Sequence, residues 1–517
     1  MTRRARVLAT ATCALAVLLL PPTGLAARWH QASSLTPQAR GAIARLEDAG
    51  AYGLRPDDYG ATRLAAAAAA LDHNSAASEA DWAQFDEALD ASLRRFVTHV
   101  HAGRVTPAAA GFHLAQPRTP LDVDAVLAAL ASADNAERVI ATIEPPFEHY
   151  RLLKTALARY RALDGDPELT RLPPLPSHNV RVGDAYAGAG ALGRLLHAEG
   201  DLAAEPPAES SAALTPELSS ALAGYQRRHG LTDDGTLGTR TYQQLTLPIS
   251  RRVRQIELTL ERWRWLPRFE SPPIVVNIPE FRLFALRSIE DREQDMLRMN
   301  VIVGRAYRET RTPVFTGELR YVVFGPYWDV PRDIAVREIL PKARAHPDYL
   351  DSHHFELVRG PGDDSRVVPS TAESIEGAAR GDLRVRQRPG PDNPLGAVKF
   401  MLPNDFSVYL HGTPEQRLFA QAQRTFSHGC IRVSDPQALA ERVLVGNADG
   451  DWTPESIAAA MHGPPNRHVR LLHPIPIFIL YGTAMASEDG QVLLFDDVYG
   501  YDRKLERLLH LEPPGRR

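Results

Sequence analysis

Two segments of the sequence decide the fold: VKFMLPNDFSVYLHGT (residues 398–413) and SHGCIRVSDP (residues 427–436). Apolar and polar residues alternate through the first segment on both sides of a turn-forming Pro-Asn-Asp, which predicts two adjacent β-strands. Tyr409 and His411 then share the face opposite the core, because successive side chains of a strand point to opposite sides. The second segment follows a loop and enters a predicted helix with Asp435 as its N-cap.

The chain around these segments is rich in short β-runs separated by Gly and Pro, which predicts a mostly β domain over residues 272–485. The polar stretch 331–390 interrupts these runs. Long insertions between strands are often lids or substrate walls, so we expect this one to form a cap. A connecting helix over 251–271 precedes the domain, and a C-terminal segment over 486–517 follows it.

The preceding part of the chain has helical patterns. Apolar residues recur at every third or fourth position in DEALDASLRRFVTHV and PPFEHYRLLKTALARYRAL, which predicts a helical scaffold domain over residues 28–180. Residues 181–250 contain short helical runs around an Asp-Asp-Gly turn and are expected to form a small module of the three-helix type. The fold class predicted for the whole chain is multidomain α+β.

Composition excludes several classes of protein. Of the 517 residues, 44% are hydrophobic and 24% are charged, which excludes a disordered, collagen-like or multi-spanning membrane protein. The net charge of −4 gives no indication of a nucleic-acid partner. Residues 1–27 combine three arginines, an apolar run and small residues, which is the layout of a signal peptide. The alternative is an uncleaved N-terminal anchor, the one route by which we expect membrane attachment.

Cleavage of that segment removes Cys13 and leaves Cys430 without a disulfide partner in an oxidising compartment. A lone thiol there is either a buried bystander or a nucleophile, and its histidine neighbours favour the nucleophile. His428 lies two positions away, and His411 approaches from a different strand, as a general base does. Either imidazole is expected to lower the pKa of the thiol.

The residues beside Cys430 extend this hypothesis. The backbone N–H groups of Gly429 and Cys430 are candidate donors of an oxyanion hole. Arg432 shares a face with Cys430 in extended chain, where its guanidinium suits a substrate carboxylate. The chain has no HExxH or CxxC pattern, and neither a metal nor an organic cofactor is expected.

These residues carry a family resemblance. HGT followed by SHGCIR, with His411 and Cys430 19 positions apart, resembles the catalytic core of the L,D-transpeptidases of bacterial cell walls. Further strings resemble the large Gram-negative subclass of that family: VNIPEFRL, MNVIVGR, TPVFTGEL, PYWDVP, RQRPGPDNPLG and KFMLPN. Residues 181–250 resemble the peptidoglycan-binding module of cell-wall enzymes, through pairs such as Tyr225-Gln226 and Asp234-Gly235.

The resemblance implies a cysteine acyl transfer in the periplasm of a Gram-negative bacterium. The Cys430 thiolate attacks the meso-diaminopimelate carbonyl of a tetrapeptide stem, and D-Ala leaves. A second diaminopimelate amine takes the thioester, which makes a 3→3 cross-link. His411 is the implied base, oriented by a backbone carbonyl at Gly412. The implied fold is a mixed β-sandwich, carbapenems are implied as inhibitors, and other murein synthases are implied as partners. The candidate substrate-binding residues are His428, Ser427, Arg432, Tyr409 and Trp328.

Other functions remain open on the sequence. The same thioester could pass to water, which makes an L,D-carboxypeptidase, or to an outer-membrane lipoprotein. The length of the chain and its inserted module favour 3→3 cross-linking over lipoprotein attachment. A hypothesis from another class is a non-catalytic wall-binding scaffold in which Cys430 is a redox-sensitive relic. The presence of His411, Gly429 and Cys430 together argues against this.

Overall fold

The computed structural model describes residues 29–74, 76–114, 118–204, 212–292, 294–307, 309–362 and 365–511. The signal peptide predicted over residues 1–27 lies outside the described residues. Within them, no helix has both the length and the apolar character needed to cross a membrane. The chain divides into two compact units.

The bounds of the helices follow the chain from the N-terminus. They are α1 Pro37–Glu47, α2 Ala61–Asp72, α3 Glu79–Ala102, α4 Pro107–Ala110, α5 Val123–Ser132, α6 Ala136–Ile143, α7 Glu148–Leu163, α8 Ala189–Ala198, α9 Pro216–Arg228, α10 Thr239–Leu245, α11 Ile249–Trp263, α12 Arg332–Ile334, α13 Leu340–Ala345, α14 Tyr349–Ser352, α15 Ala372–Arg380, α16 Pro436–Leu444, α17 Pro454–Met461 and α18 Tyr501–Leu508.

The strands are concentrated in the C-terminal half of the chain. They are β1 His30–Gln31, β2 Ser34–Leu35, β3 Ile274–Asn277, β4 Arg282–Ala285, β5 Leu297–Gly304, β6 Phe315–Phe324, β7 Trp328–Asp329, β8 Phe355–Arg359, β9 Arg366–Val368, β10 Arg384–Gln387, β11 Val398–Met401, β12 Leu410–His411, β13 Thr425–Ser427, β14 Ile431–Val433, β15 Arg467–Leu480, β16 Ala484–Ala486 and β17 Val492–Leu494.

The first unit is helical. Its described part comprises residues 29–48, Arg55–Val97 and Asp122–Thr142. The helix predicted from the periodicity of DEALDASLRRFVTHV is confirmed as part of α3. Leu89 and Phe96 on the predicted apolar face are fully buried, because side chains seven positions apart return to the same side of a helix.

The second unit comprises Ala49–Leu54, Thr98–Leu121 and the chain from Ile143 onward. The helix predicted in PPFEHYRLLKTALARYRAL is confirmed as α7, and it packs on α11 through a shared core that includes Tyr150 and Ile256. Helices α8, α9 and α10 enclose a separate small core. The multidomain α+β class is therefore confirmed, whereas the predicted domain boundaries stay predictions.

A sheet of nine strands forms the centre of the second unit, and all of them except β13 close into a ring of eight. The strand order is β13-β5-β14-β12-β11-β6-β15-β3-β4, and β4 also pairs with β5. This last pairing closes a barrel, where the resemblance implied a β-sandwich. Closure gives the strands of the ring two neighbours each, so that the ring has no unpaired edge. The core cluster of the barrel includes Val301, Val322 and Phe400.

The stretch between β6 and β11 forms its own small sheet, in the order β7-β10-β8-β9, with α12 to α15 beside it. A separate apolar core supports it, including Leu340, Leu350 and Leu357, which are fully buried. The sequence predicted a polar and partly helical insertion and did not predict these strands. They were missed because the buried residues are dispersed among many charged ones.

Candidate active site

Three short strands bring the predicted catalytic residues together. β12 pairs in parallel with β14, with His411 opposite Arg432, and antiparallel with β11, with His411 opposite Lys399. Leu410 and Ile431 are fully buried, so that alternate residues project from the opposite face. Because parallel strands run in the same direction, the residues that precede β12 and β14 also lie side by side.

Tyr409 and Cys430 occupy these two preceding positions. The backbone N–H of Ile431 donates to the carbonyl oxygen of Tyr409 at 3.0 Å. The Tyr409 side chain is hydrogen-bonded to the Cys430 sulfur. On the other side, the ammonium group of Lys399 lies 3.9 Å from the centroid of the Tyr409 ring, and the His411 and Tyr409 ring centroids are 5.7 Å apart.

The Cys430 thiol is partly buried. Burial raises its pKa, while the Tyr409 hydrogen bonds and the cations of Lys399 and Arg432 act in the opposite direction. The thiol donates a long hydrogen bond of 3.7 Å to the carbonyl oxygen of Ser407. The expected lowering of the thiol pKa by an imidazole is therefore wrong for this resting arrangement.

His411 is a buried, neutral imidazole. Its pKa is lowered to about 3, first by burial and second by the positive charge of Arg432. Its Nδ1 lies 2.6 Å from the carbonyl oxygen of Gly412, and an N–H donated there leaves Nε2 as the acceptor. No hydrogen bond between the described atoms joins His411 to Cys430, so proton transfer requires the thiol to turn away from Ser407.

The loop before β14 is held by its own serine. The Ser427 hydroxyl donates to the Cys430 carbonyl oxygen at 2.5 Å and accepts from the Gly429 N–H at 3.1 Å. The Gly429 N–H is therefore bound within the loop, and the buried Ser427 stabilises the loop. The oxyanion role predicted for Gly429 and the substrate contact predicted for Ser427 stay predictions.

Arg432, for which a substrate contact was predicted, is paired within the protein. Its guanidinium forms an ion pair with Glu415, in which the Arg432 side chain is 14% exposed. A second guanidinium atom, Nε, is buried without a hydrogen-bond partner among the described residues. Arg432 is thus occupied beside His411, and its charge acts on the imidazole and the thiol. The predicted contact of Arg432 with a substrate carboxylate stays a prediction.

His428 and Trp328 both relate the site to the inserted sheet. His428 is exposed, and its Nε2 lies 3.3 Å from a carboxylate oxygen of Glu338 in the insertion. Trp328 lies in β7 and packs near Phe355, with ring centroids 6.3 Å apart. The neighbouring Asp329 contributes to the raised pKa of Tyr409, after burial and Cys430. The insertion therefore reaches the rim of the site through Glu338, and the small sheet reaches it through Asp329 of β7.

Several residues at the site were missed by the sequence analysis. Lys399 could have been found, because it alternates with the core residues Val398 and Phe400 and so shares the face of His411. Ser407 acts through its backbone carbonyl, for which a side-chain pattern gives no signal. Among the described residues, no group of three or more His, Cys, Asp or Glu side chains is placed to hold a metal ion.

Comparison with known proteins finds two family models that match parts of the chain. Residues 272–453 match the family model of the L,D-transpeptidase catalytic domain, which confirms the predicted resemblance there. Residues 23–157 match a model described as a scaffold domain. The matched region at 272–453 contains His411, Cys430 and the other predicted site residues.

Two individual proteins are similar to part of this chain. A curated Haemophilus influenzae protein named "Putative L,D-transpeptidase" is 32% identical over 254 residues, which cover 49% of this chain and 49% of that protein. The chain thus matches about half the length of this relative. A crystal structure of an L,D-transpeptidase (residues 123–326) from Xylanimonas cellulosilytica covers 60% of this chain and 100% of its own, with 14% identity and a TM-score of 0.17. A likeness at that level carries no argument.

Proposed function

We propose that this protein is a murein L,D-transpeptidase that forms 3→3 cross-links between peptidoglycan stem peptides, with Cys430 as its nucleophile. The observation that carries the proposal is the parallel pairing of β12 with β14, which sets the Cys430 loop beside the strand of His411. A nucleophile in a loop beside the strand of a neutral base, within a region that matches a transpeptidase domain, is what acyl transfer through a cysteine requires.

The reaction begins with a protonated thiol and a neutral imidazole. The donor is a tetrapeptide stem whose third residue is meso-diaminopimelate. When the stem enters, the thiol turns from the Ser407 carbonyl toward His411 and gives up its proton. The thiolate that forms is stabilised by the Tyr409 hydrogen bond and by the Lys399 and Arg432 charges, the groups that already oppose the raised thiol pKa.

Acylation exchanges one bond for another. The Cys430 sulfur bonds to the carbonyl carbon of the third residue, and the bond from that carbon to the nitrogen of D-Ala breaks. The proton taken by His411 passes to the leaving amine. A diaminopimelate side-chain amine of a second stem then attacks the thioester and loses a proton, and the Cys430 thiol is restored. No cofactor or metal enters this sequence of steps.

The proposed function also includes a cellular compartment and partner proteins. We infer export to the periplasm of a Gram-negative bacterium by the N-terminal signal, where stem peptides are available. The helical module formed by α8 to α10 would keep the enzyme near its polymeric substrate, and other murein synthases would act on the same material. Transfer to water or to a lipoprotein uses the same thioester, so the acceptor is what an experiment has to identify.

The test is mass spectrometry of muropeptides after the protein without residues 1–27 is incubated with purified wall rich in tetrapeptides. We expect cross-linked dimers joined between two diaminopimelate residues, with release of D-Ala. The control is the Cys430→Ala variant, which should leave the wall unchanged. Shortened tripeptide stems without dimers would indicate a carboxypeptidase, and an unchanged wall with the unaltered protein would contradict the proposed function.

A further inference from the structure

A buried threonine is hydrogen-bonded to the loop that carries Cys430. Thr312 lies between β5 and β6 and is fully buried. Its hydroxyl donates to the carbonyl oxygen of Gly429 at 2.8 Å and accepts from the backbone N–H of Gly304 at 2.9 Å. A hydroxyl has one proton to donate, so its direction is set by these two partners. The Gly429 carbonyl is thereby tied to the end of β5.

A tyrosine from the C-terminal segment fixes the threonine. The Tyr499 hydroxyl donates to the carbonyl oxygen of Gly304 at 2.6 Å and accepts from the backbone N–H of Thr312 at 3.2 Å. The phenol is buried, and burial raises its pKa to about 12, so it remains a neutral donor. Tyr499 lies beyond residues 272–453, the part that matches the catalytic domain.

This network determines the direction of one backbone N–H. The described chain has no cis peptide bond, and in a trans peptide the C=O and the following N–H point in opposite directions. With its carbonyl directed toward Thr312, the peptide between Gly429 and Cys430 directs the Cys430 N–H away from the interior. The Gly429 N–H is already bound to Ser427, so the Cys430 N–H is the backbone donor that remains at the nucleophile.

The backbone at this point needs such support. Gly429 has a φ of +126°, a conformation that residues with a Cβ rarely adopt. A glycine is free to leave that conformation when nothing holds it, and its departure would turn the peptide on which the Cys430 N–H depends. The bond from Thr312 ties down the carbonyl side of that peptide.

We infer that Thr312 and Tyr499 are positioning residues that aim the Cys430 N–H at the oxyanion formed during acylation. The inference rests on the proposed function and deepens it, because it assigns the backbone donor of the oxyanion hole and the side chains that orient it. Neither residue touches the substrate. Their effect reaches the reaction only through the peptide between Gly429 and Cys430.

The experiment compares two reactions of the same thiol. Acylation by a carbapenem passes through a tetrahedral oxyanion and needs the aimed N–H, whereas alkylation by iodoacetamide displaces iodide and forms no oxyanion. Thr312→Val should slow single-turnover acylation by about 10²-fold, the order of loss caused by a misplacement of about 1 Å. Its alkylation rate and the pH profile of that rate should be unchanged. Thr312→Ser keeps the hydroxyl and should restore acylation.

Two further variants keep the inference testable. Thr310→Val is the matched control, because the hydroxyl of the half-buried Thr310 donates, among the described residues, to the carbonyls of Arg305 and Tyr307 in its own loop, and it should behave like the unaltered protein. Tyr499→Phe should slow acylation without changing alkylation. This variant tests the inference if Thr312→Val does not fold. Equal losses in both reactions, or no loss in either, would overturn the inference. Failure of the unaltered protein to be acylated at all would instead overturn the proposed function.

Discussion

His411 and Arg432 lie opposite each other on two parallel strands, and the guanidinium helps to keep the imidazole neutral. Burial is the larger cause of the lowered pKa of His411, which is about 3, and the Arg432 charge is the second. Glu415 holds Arg432 in this position. The pair explains why the site rests as a thiol beside a neutral base and does not contain a preformed thiolate and imidazolium.

Replacing Cys430 with alanine should abolish thioester formation and leave the fold intact, because the hydrogen bonds of the thiol within the described residues are a long one to Ser407 and those with Tyr409. Cys430→Ser should also be nearly inactive, since a hydroxyl is far harder to ionise than a thiol. The measurement is the intact mass of the protein after incubation with a donor peptide. An acyl adduct on the alanine variant would show that another residue is the nucleophile.

His411→Ala should slow acylation by about 10²–10⁴-fold, the usual loss on removal of a general base. Donor binding should weaken much less, because a base acts in the transition state. His428→Ala is the matched control, since His428 is exposed and paired with Glu338 at the rim. Single-turnover acylation measures both variants. A larger loss in His428→Ala than in His411→Ala would mean that the base is wrongly assigned.

The reactivity of Cys430 without substrate should increase steeply with pH. Burial raises the thiol pKa, so the thiolate fraction is small at neutral pH and increases only near and above the ordinary value of about 8.5. The rate of iodoacetamide alkylation as a function of pH gives this directly. A fast rate that does not change from about pH 5 to 8 would indicate a preformed thiolate paired with His411. That result would contradict the raised thiol pKa.

The charge of Lys399 should influence the pH at which alkylation of Cys430 becomes fast. Its positive charge opposes the rise in the thiol pKa, so Lys399→Met should move the alkylation profile to higher pH. Lys399→Arg keeps the charge and should leave the profile near its original position. If the methionine variant gave the same profile as the unaltered protein, the charge of Lys399 would have no part in stabilising the thiolate.

Carbapenems should acylate the protein, because a strained lactam carbonyl offers the Cys430 thiol the same kind of electrophile as the proposed donor. The expected result is a mass increase equal to that of the drug, absent in Cys430→Ala. The modified peptide should contain Cys430 after proteolysis. No adduct on the unaltered protein at any concentration tested would count against an accessible nucleophile.

The insertion should matter for the polymeric substrate and little for a small drug. Replacing residues 331–390 with a tight turn should lower the ratio of the cross-linking rate to the carbapenem acylation rate, because the small molecule needs only the thiol and its donors. Circular dichroism checks that both proteins are folded. An unchanged ratio would show that the insertion does not hold the wall substrate.

A point substitution tests the contact between the insertion and the rim of the site without removing the insertion. Glu338→Gln breaks the ion pair with His428 and should lower the same ratio, while stability changes by less than about 1 kcal/mol, as for other exposed pairs. Glu373→Gln is the control, since Glu373 is an exposed residue of the first turn of α15. Equal ratios of cross-linking to drug acylation in the two variants would show that Glu338 does not contribute to binding of the wall substrate.

The sequence by itself determined the local structure around the site. Alternation placed Val398, Phe400 and Leu402 in the core, and all three are buried. Asp435 is the N-cap of α16, as predicted, because its carboxylate accepts from the backbone of Ala438. These features depend on residues within a few positions of each other, and side-chain direction in a strand or a helix is a local property.

Only the tertiary structure decided which polar groups of the site are bound to other residues of the protein and which are not. Closure of the barrel by β4 and β5, the ion pair of Arg432 with Glu415, and the bond from Thr312 to Gly429 join parts of the chain that no periodic pattern relates. The low pKa of His411 has the same origin, because burial and a neighbouring charge are properties of the assembled site. A motif can name a nucleophile and a base, but the protonation state of each depends on the dielectric environment and the charges that folding brings around them.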